Sequence, residues 1–333
     1  MKKFTEIGQF RNIVKTVRIN HDYKGHDGNG DAIYSHTEPY PVLRFRGTVK
    51  NHGTNAGIAC YKNNDNTLRY EFQSRENVLS LTKDNAGFMA NLMTKDYQKL
   101  FEGIEFNESC VIYGEWCGKG IQSKVAIAEL PKMFIIFAVC IDDVYMDMEN
   151  YKHLKIEDQL IYNILQFKTF SIDIDFNQPE LCQNEIIEMT LEVEKCCPVG
   201  QYFGIEGIGE GIVFEYINGD VRYIFKSKGL LHSSGSKPKT LHPVDNDRIK
   251  LIRDIAEQVT PVWRLSQMVE QACDLNNGGQ IDRSKLGDYI RLVINDVVKE
   301  DLDIIVDAGL EPKDINKYIS EIARLYFFDQ EKL

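Results

Sequence analysis

The hydrophobic pattern changes period once along the chain, and that change limits what the chain can fold into. Up to Lys228 the apolar residues come in short runs rich in β-branched and aromatic side chains. They are RNIVKTVRIN, VLRFRGTVK, AGIACYK, LRYEFQS, SCVIYGEW, KMFIIFAVCI, EGIVFEY and VRYIFKS. Each is bounded by Gly, Asn or Asp and reads as a strand. FEYINGDVRYIFKS reads as a hairpin with Asn218-Gly219-Asp220 as its turn. Segments 85–102 and 156–169 read as helices. GLLHSSGSKPKT (229–240) then reads as a linker. Beyond it the apolar positions recur every three or four residues: Ile249, Ile252, Ile255 and Val259, then Leu286, Ile290, Val293 and Val297, then Ile315, Ile319, Ile322 and Tyr326, with Pro312 near a helix start. The expected class is α+β: a strand-rich domain over 1–236, followed by a small all-helical domain over 237–333. A chain of 333 residues is also too long for one ordinary core.

Composition removes several classes. Hydrophobic and charged contents of 43% and 27% are those of a soluble globular protein. No apolar run approaches the ~20 residues of a membrane span. MKKFTEIGQFRNIVK has a basic start but no apolar stretch or small-residue cleavage site, so no signal peptide is expected and the cytoplasm is the expected location. Eight scattered cysteines include no C-x-x-C pair; they read as reduced thiols and argue against a structural zinc site. The net charge of −11 argues against a general nucleic-acid coat. A local basic patch remains open, because 222–239 hold Arg222, Lys226, Lys228, Lys237 and Lys239 and no acid. HDYKGHDGNGDAIYSHTE mimics a calcium loop, with Asp27, Asn29, Asp31 and Glu38 in ligand positions. Ala32 stands where that loop turns on Gly, and the flanks read as strands, so a polar hairpin loop is expected.

Charged residues at strand ends carry the chemistry. In order they are Lys50 in FRGTVKNHGTNAGI, Arg75 in FQSRENV, Glu115 in GEWCGKGIQ, Glu210 in GEGIVF, and Lys226 and Lys228 in YIFKSK. Lys226 and Lys228 alternate along a strand and share a face, where two cations facing inward need an anion. Singly, each reads equally well as a solvated strand-end charge. Jointly and in this order, they resemble the covalent nucleotidyltransferases, whose hallmark is Lys-x-(Asp/His/Asn)-Gly, here Lys50-Asn51-His52-Gly53. Within that group KNHGTN (50–55) and GEWCGKGIQ (114–122) resemble the RNA ligase 2 family of bacteriophages, which also includes kinetoplastid RNA-editing ligases. The motifs span roughly 45–235, and VTPVWRLSQMVEQ with the helical pattern resembles that family's C-terminal domain.

The resemblance implies an adenylyltransferase domain of ATP-grasp-like antiparallel sheets with helices. It implies an ATP-dependent RNA ligase that joins 3′-hydroxyl and 5′-phosphate ends through a lysyl-AMP and an RNA-adenylate, with nicks in duplex RNA as substrate and RNA repair as role. By the same resemblance Lys50 is the nucleophile, with Lys226, Lys228, Arg75 and His52 in the catalytic set. Val49, Lys50, Asn55, Arg75, Glu115, Phe137, Glu210, Lys226 and Lys228 contact ATP; Glu115 takes the ribose hydroxyls, Phe137 stacks on adenine, and Glu210 holds Mg²⁺ or Mn²⁺. A free amine is required of a nucleophilic lysine whose ordinary pKa is about 10.4, and nearby cations would disfavour its charged form. The chain departs from the family at Ala138, where an Asp is usual, and at Glu215, where a Lys is frequent; Glu206 is a second acid beside Glu210. A monomer is expected. Arg264, Arg283, Lys285 and Arg291 are the expected RNA contacts of the acidic helical domain. Trp116 and Cys117 read as packing, Asn51 as a spacer without a role, and His153, His232 and His242 have no evident partner. Two alternatives stay open: a DNA ligase or mRNA guanylyltransferase of the same superfamily, or a non-catalytic RNA-binding protein on this scaffold. Asp instead of His52 and a β-barrel after the second lysine would mark the former.

Overall fold

The computed structural model describes residues 1–229, 231, 245–275 and 279–330. Most of the expected linker, with Lys237, Lys239, His232 and His242, lies outside them. Contacts divide the chain into two compact units, Met1–Val17 with Val42–Pro243, and Arg18–Pro41 with Val244–Leu333. Among the described residues the elements are, in order, α1 (Phe10–Asp22), β1 (Tyr23–His26), β2 (Ala32–Tyr34), β3 (Val42–Lys50), β4 (Thr54–Lys62), β5 (Leu68–Ser74), α2 (Phe88–Leu92), β6 (Ser109–Cys117), β7 (Met133–Ile141), β8 (Val144–Met146), β9 (Ile161–Asn163), β10 (Thr169–Asp175), α3 (Gln183–Lys195), α4 (Pro198–Tyr202), β11 (Gly211–Asn218), β12 (Val221–Lys228), α5 (Asn246–Val259), α6 (Val262–Cys273), α7 (Leu286–Glu300), α8 (Leu302–Asp307) and α9 (Pro312–Gln330). The mixed α/β class, the antiparallel sheets and the helical C-terminal region agree with the expectation.

The first unit holds two sheets. One runs β10-β3-β11-β12, antiparallel throughout; the other runs β5-β4-β6-β7-β8, with β9 added parallel to β7. Period-2 alternation sorts side chains between faces. On β3, Phe45, Gly47 and Val49 are buried while Arg46, Thr48 and Lys50 stay partly open. On the second sheet, Ile58, Ile112, Trp116 and Phe134 join a core closed by Phe88 and Leu92 of α2. Ala59, Val111, Tyr113, Ala138 and Cys140 pack on its other face. The β11–β12 turn is two residues, Gly219-Asp220, with Gly219 at φ 57° as such a tight turn demands. All eight cysteines are free, and all but Cys196 are buried.

Several sequence expectations fail here for identifiable reasons. RNIVKTVRIN is part of helix α1, because Ile13 and Val17, one turn apart, are its buried pair; one buried stripe outweighs β-branched propensity. Segment 85–102 forms only α2 and a 3₁₀ turn at Tyr97–Phe101. Segment 156–169 contains the strand β9, with Leu160 at φ 58° ending the turn before it; pairing with β7 overrides the local helical pattern. TFSIDID (β10) and α3 were not anticipated, although Ile172 and Ile174 alternate with acids as an edge strand would. The calcium-like loop is the expected hairpin: β1 pairs β2, and Asp27 accepts hydrogen bonds from the backbone N–H groups of Asn29 and Asp31.

In the second unit α5, α6, α7, α8 and α9 share one apolar core containing Ile252, Val259, Leu265, Val293, Ile319 and Phe327. Asp245 caps α5 by accepting from the Arg248 N–H. Arg264, expected on the RNA side, is instead only 4% exposed; its Nε lies 2.8 Å from Asp296, and it also pairs with Asp301 and the Val259 carbonyl. An arginine so enclosed is a structural ion pair and is not available to RNA. No helix among the described residues is long and apolar enough to cross a membrane.

Candidate active site

All ten sequence-nominated site residues line one cavity of about 450 Å³ in the first unit. Three strands bring its cations together. Lys50 at the end of β3 stands opposite Gly211 of β11, and Gly211 opposite Lys228 of β12; two residues along, Thr48, Val213 and Lys226 form a second row on the same face. Gly211 has no side chain to come between Lys50 and Lys228. Its φ is +151°, and a Cβ there would lie 2.1 Å from the Ser227 carbonyl oxygen, so only glycine fits.

Glu210, 3% exposed, is the anion these cations require. Its Oε2 lies 2.7 Å from Lys50 Nζ and 3.1 Å from His52 Nδ1, and its Oε1 lies 2.8 Å from Lys228 Nζ. Burial alone would raise its pKa, but the Lys50 charge and the hydrogen bonds from Lys228 and Lys50 prevail and lower it from 4.5 to about 2. Glu210 therefore contributes stability in full above pH 4.5, and loses it as pH falls through about 2. Lys226 has the opposite surroundings: burial first, then the charges of Lys228, Lys50 and Arg75, push its pKa down. Arg75 follows β5 and is exposed at the mouth, 3.8 Å from Glu76.

The loop between β3 and β4 is clamped by the other long motif. The Gly53 N–H donates to Glu115 Oε1 at 3.0 Å, and the Gln122 side-chain amide donates to the Gly53 carbonyl at 3.3 Å. KNHGTN and GEWCGKGIQ thus meet at Gly53. A Cβ on Gly53 would sit 2.4 Å from the Trp116 carbonyl oxygen and 2.8 Å from Cys117 Cβ. Gly53→Ala is accordingly expected to push β6 away, to cost about 3 kcal/mol as overpacking does, and to lower the melting temperature; an unchanged melting curve would count against this clamp. Asn85, absent from the sequence reading, supports the same loop, bonding the Thr54 hydroxyl at 3.2 Å and the Asn55 carbonyl at 3.2 Å.

Glu115 lies opposite Asn55 across β4–β6. Burial pushes its pKa up to about 7, with the Glu210 charge adding to the rise and Lys50 and the Gly53 N–H opposing it. Phe137 reaches the cavity through a β-bulge: Tyr113 pairs Ala138 and Gly114 pairs Ile136, so Phe137 has no partner in the ladder. Its ring meets Phe4 edge-on at 5.1 Å, which places the N-terminal segment in the cavity wall. Glu215, at the departure from the family pattern, pairs with Arg222 at 2.7 Å, and Arg222 also lies 3.8 Å above the Tyr145 ring. Arg46 is neutralised by Glu149 at 2.7 Å and by Asp147. One end of the cavity is thus aromatic with internally paired charges, and the other is cationic. Asn51 is no idle spacer: it is 6% exposed in the cavity wall, and its Oδ1 has no hydrogen-bond partner among the described residues. A buried unpaired acceptor is costly unless a ligand donates to it.

No curated protein matches the sequence. Among solved structures, a mutant of Naegleria gruberi RNA ligase with ATP and Mn is 17% identical, with 68% of this chain and 55% of that one covered and a TM-score of 0.43. An archaeal ATP-dependent RNA ligase is 12% identical, with 98% and 74% covered and a TM-score of 0.39. The chain thus spans little more than half the length of the Naegleria protein. The RNA ligase family model matches residues 44–228, from β3 through the last lysine of β12 and more than half of the chain, and the chain belongs to that family.

Proposed function

We propose that the chain is an ATP-dependent RNA ligase that works through a lysyl-AMP. The observation that supports this most is the junction of Lys50, Lys228 and His52 on one buried carboxylate, Glu210, in a cavity with an aromatic end of suitable size. Lys50 Nζ attacks the α-phosphorus of ATP; a P–N bond forms, the bond to pyrophosphate breaks, and the amine's proton goes to solvent. Lys226 and Lys228 face the phosphates and stabilise their charge. Arg75, exposed at the mouth, meets the pyrophosphate or the RNA end with a planar fork. Phe137 stacks on the base, Glu115 accepts from the ribose, and Val49 and Asn55 complete the wall. The RNA 5′-phosphate then takes AMP from Lys50, and a 3′-hydroxyl displaces AMP to seal the strand.

The residues fit a divalent cation. Glu210 is ionised at any working pH, and Mg²⁺ is commonly held by one or two carboxylates with substrate phosphates and waters. Bound there, Mg²⁺ or Mn²⁺ would neutralise the departing pyrophosphate. Lys50 Nζ is held in an ion pair with Glu210 at 2.7 Å. Releasing Lys50 from Glu210 is part of the reaction on this reading.

The finer proposals are membership of the RNA ligase 2 branch of bacteriophages, RNA repair at nicks, a cytoplasmic monomer, and domains of 1–236 and 237–333. The test is incubation with α-labelled ATP or GTP and Mg²⁺, followed by a denaturing gel. Labelled protein from ATP supports the proposal; no label over a range of pH and metals ends it; label from GTP alone moves the reading to guanylyltransfer. Faster sealing of nicked duplex RNA than of single-stranded ends is expected, and the reverse order would remove the nick proposal.

A pH dependence follows from Glu115. Its raised pKa means that the neutral form favours the folded state: its contribution to stability is present below 4.5 and is lost as pH rises toward about 7. If it must accept from ribose as a carboxylate, ATP affinity should weaken up to tenfold per pH unit below about 7. Glu115→Gln should flatten that profile in a binding titration. A profile as steep in the variant would assign the titration to another group.

A further inference from the structure

We propose that His21, Asp22 and His36 form a binding site for a divalent transition-metal ion of the zinc type, separate from the catalytic cavity. Three of the seven histidines fall in the short stretch from His21 to His36. The chain folds back there: His21 and Asp22 end α1, β1 and β2 form the hairpin, and His36 returns just after β2. His21 Nδ1 lies 3.2 Å from Asp22 Oδ1, and His36 Nδ1 lies 2.9 Å from the same oxygen. One ligating atom from each of the three residues lies within 4.8 Å of the others. Donors around a tetrahedral ion at about 2.0–2.1 Å lie roughly 3.3 Å apart, so little movement is needed to admit one.

The donor set selects the ion. Two imidazoles and one carboxylate suit zinc and its neighbours, whereas Mg²⁺ and Ca²⁺ take oxygen donors. The surroundings resemble the outer support of a metal ligand. The Tyr40 hydroxyl donates to Asp22 Oδ2 at 3.1 Å, which turns Oδ1 toward the two imidazoles. The Tyr40 ring lies 4.3 Å from the His36 ring, with Arg18 4.9 Å above it, and Arg18 is tied to Glu321 of α9 at 3.2 Å. All three ligands are half-buried, so water completes the coordination. The cysteine spacing gave no zinc site; this one uses no thiol and depends on bringing residues fifteen apart together. Its role is a clasp that closes the chain from His21 to His36 on itself, the end of α1 held against the stretch that follows β2.

The experiment is a Co²⁺ titration of the full chain after chelator treatment, followed by displacement with Zn²⁺ and with excess Mg²⁺. Expected are visible d–d bands saturating at a single ion per chain, without thiolate-to-metal charge transfer, erased by Zn²⁺ and untouched by Mg²⁺. His36→Ala should abolish them. Asp22→Asn, which still accepts both histidine hydrogen bonds, should do the same with unchanged circular dichroism, so loss of metal is separable from misfolding. Tyr40→Phe should weaken binding about tenfold. No bands at stoichiometric Co²⁺, bands that survive in both ligand variants, or a thiolate signature would overturn the proposal and leave a hydrogen-bonded His–Asp–His cluster alone.

Discussion

Lys50→Ala is expected to abolish covalent labelling by ATP while leaving the melting temperature within a few degrees of the parent. The structure explains why the two readouts separate. Lys50 is the last residue of β3, its side chain leaves the core for the cavity, and Glu210 keeps Lys228 and His52 as partners when it is gone. Lys50→Arg is the sharper variant, because it preserves the charge on Glu210 but presents a guanidinium that cannot lose its proton to attack phosphorus. Both should be dead in the labelling step. Both should also still seal RNA that already carries a 5′-adenylate, because that step no longer needs the amine. Label retained by either variant, with mapping to another residue, would remove Lys50 as the nucleophile.

Glu210→Gln is expected to lose both activity and stability. The carboxylate is nearly enclosed and holds three groups; its removal leaves Lys50, His52 and Lys228 without the carboxylate that pairs them. Removing one partner from a buried ion cluster costs about 3 kcal/mol or more, which for a chain of this size lowers the melting temperature by several degrees. The deficit should shrink when a polyphosphate such as ATP is added, since the ligand then supplies the missing negative charge. A variant as stable as the parent without ligand would show that the cations are already screened by water. A single chemical denaturation series with and without ATP measures both effects.

The candidate site was legible in the sequence because charged residues near strand ends stand out in apolar runs, and because their order, with KNHGTN and GEWCGKGIQ, carries a family resemblance that none of them carries singly. Lys50, Glu115, Glu210, Lys226 and Lys228 are all of this kind, and the structure brings them into one cavity. What was illegible depends on distant contacts. Asn85 and Gln122 carry no local signal, and they count only because β4 and β6 lie side by side. Asn51 read as a neutral spacer, since burial of a loop residue is a tertiary fact. Arg264 read as exposed because basic residues on amphipathic helices usually are, and only Asp296 and Asp301 reveal otherwise. The helix at residues 10–22 was lost to β-branched composition, although Ile13 and Val17 already had helical spacing.

The unpaired position of Phe137 in β7 has a consequence for how the family can diversify. Ile136 before it belongs to one core and Ala138 after it to the other, so the bulge resets the alternation and takes Phe137 out of the ladder, while its ring still packs against Phe4 and the second core. This cavity-lining side chain is thus held by ring packing rather than by strand pairing. Exchanges at 137 among aromatic residues, which keep a ring beside Phe4, should change nucleotide choice with little change in stability, whereas exchanges at Ile135 or Ile136 would be registered first as unfolding. A selectable pocket wall and a fixed sheet can then coexist within a single nine-residue strand.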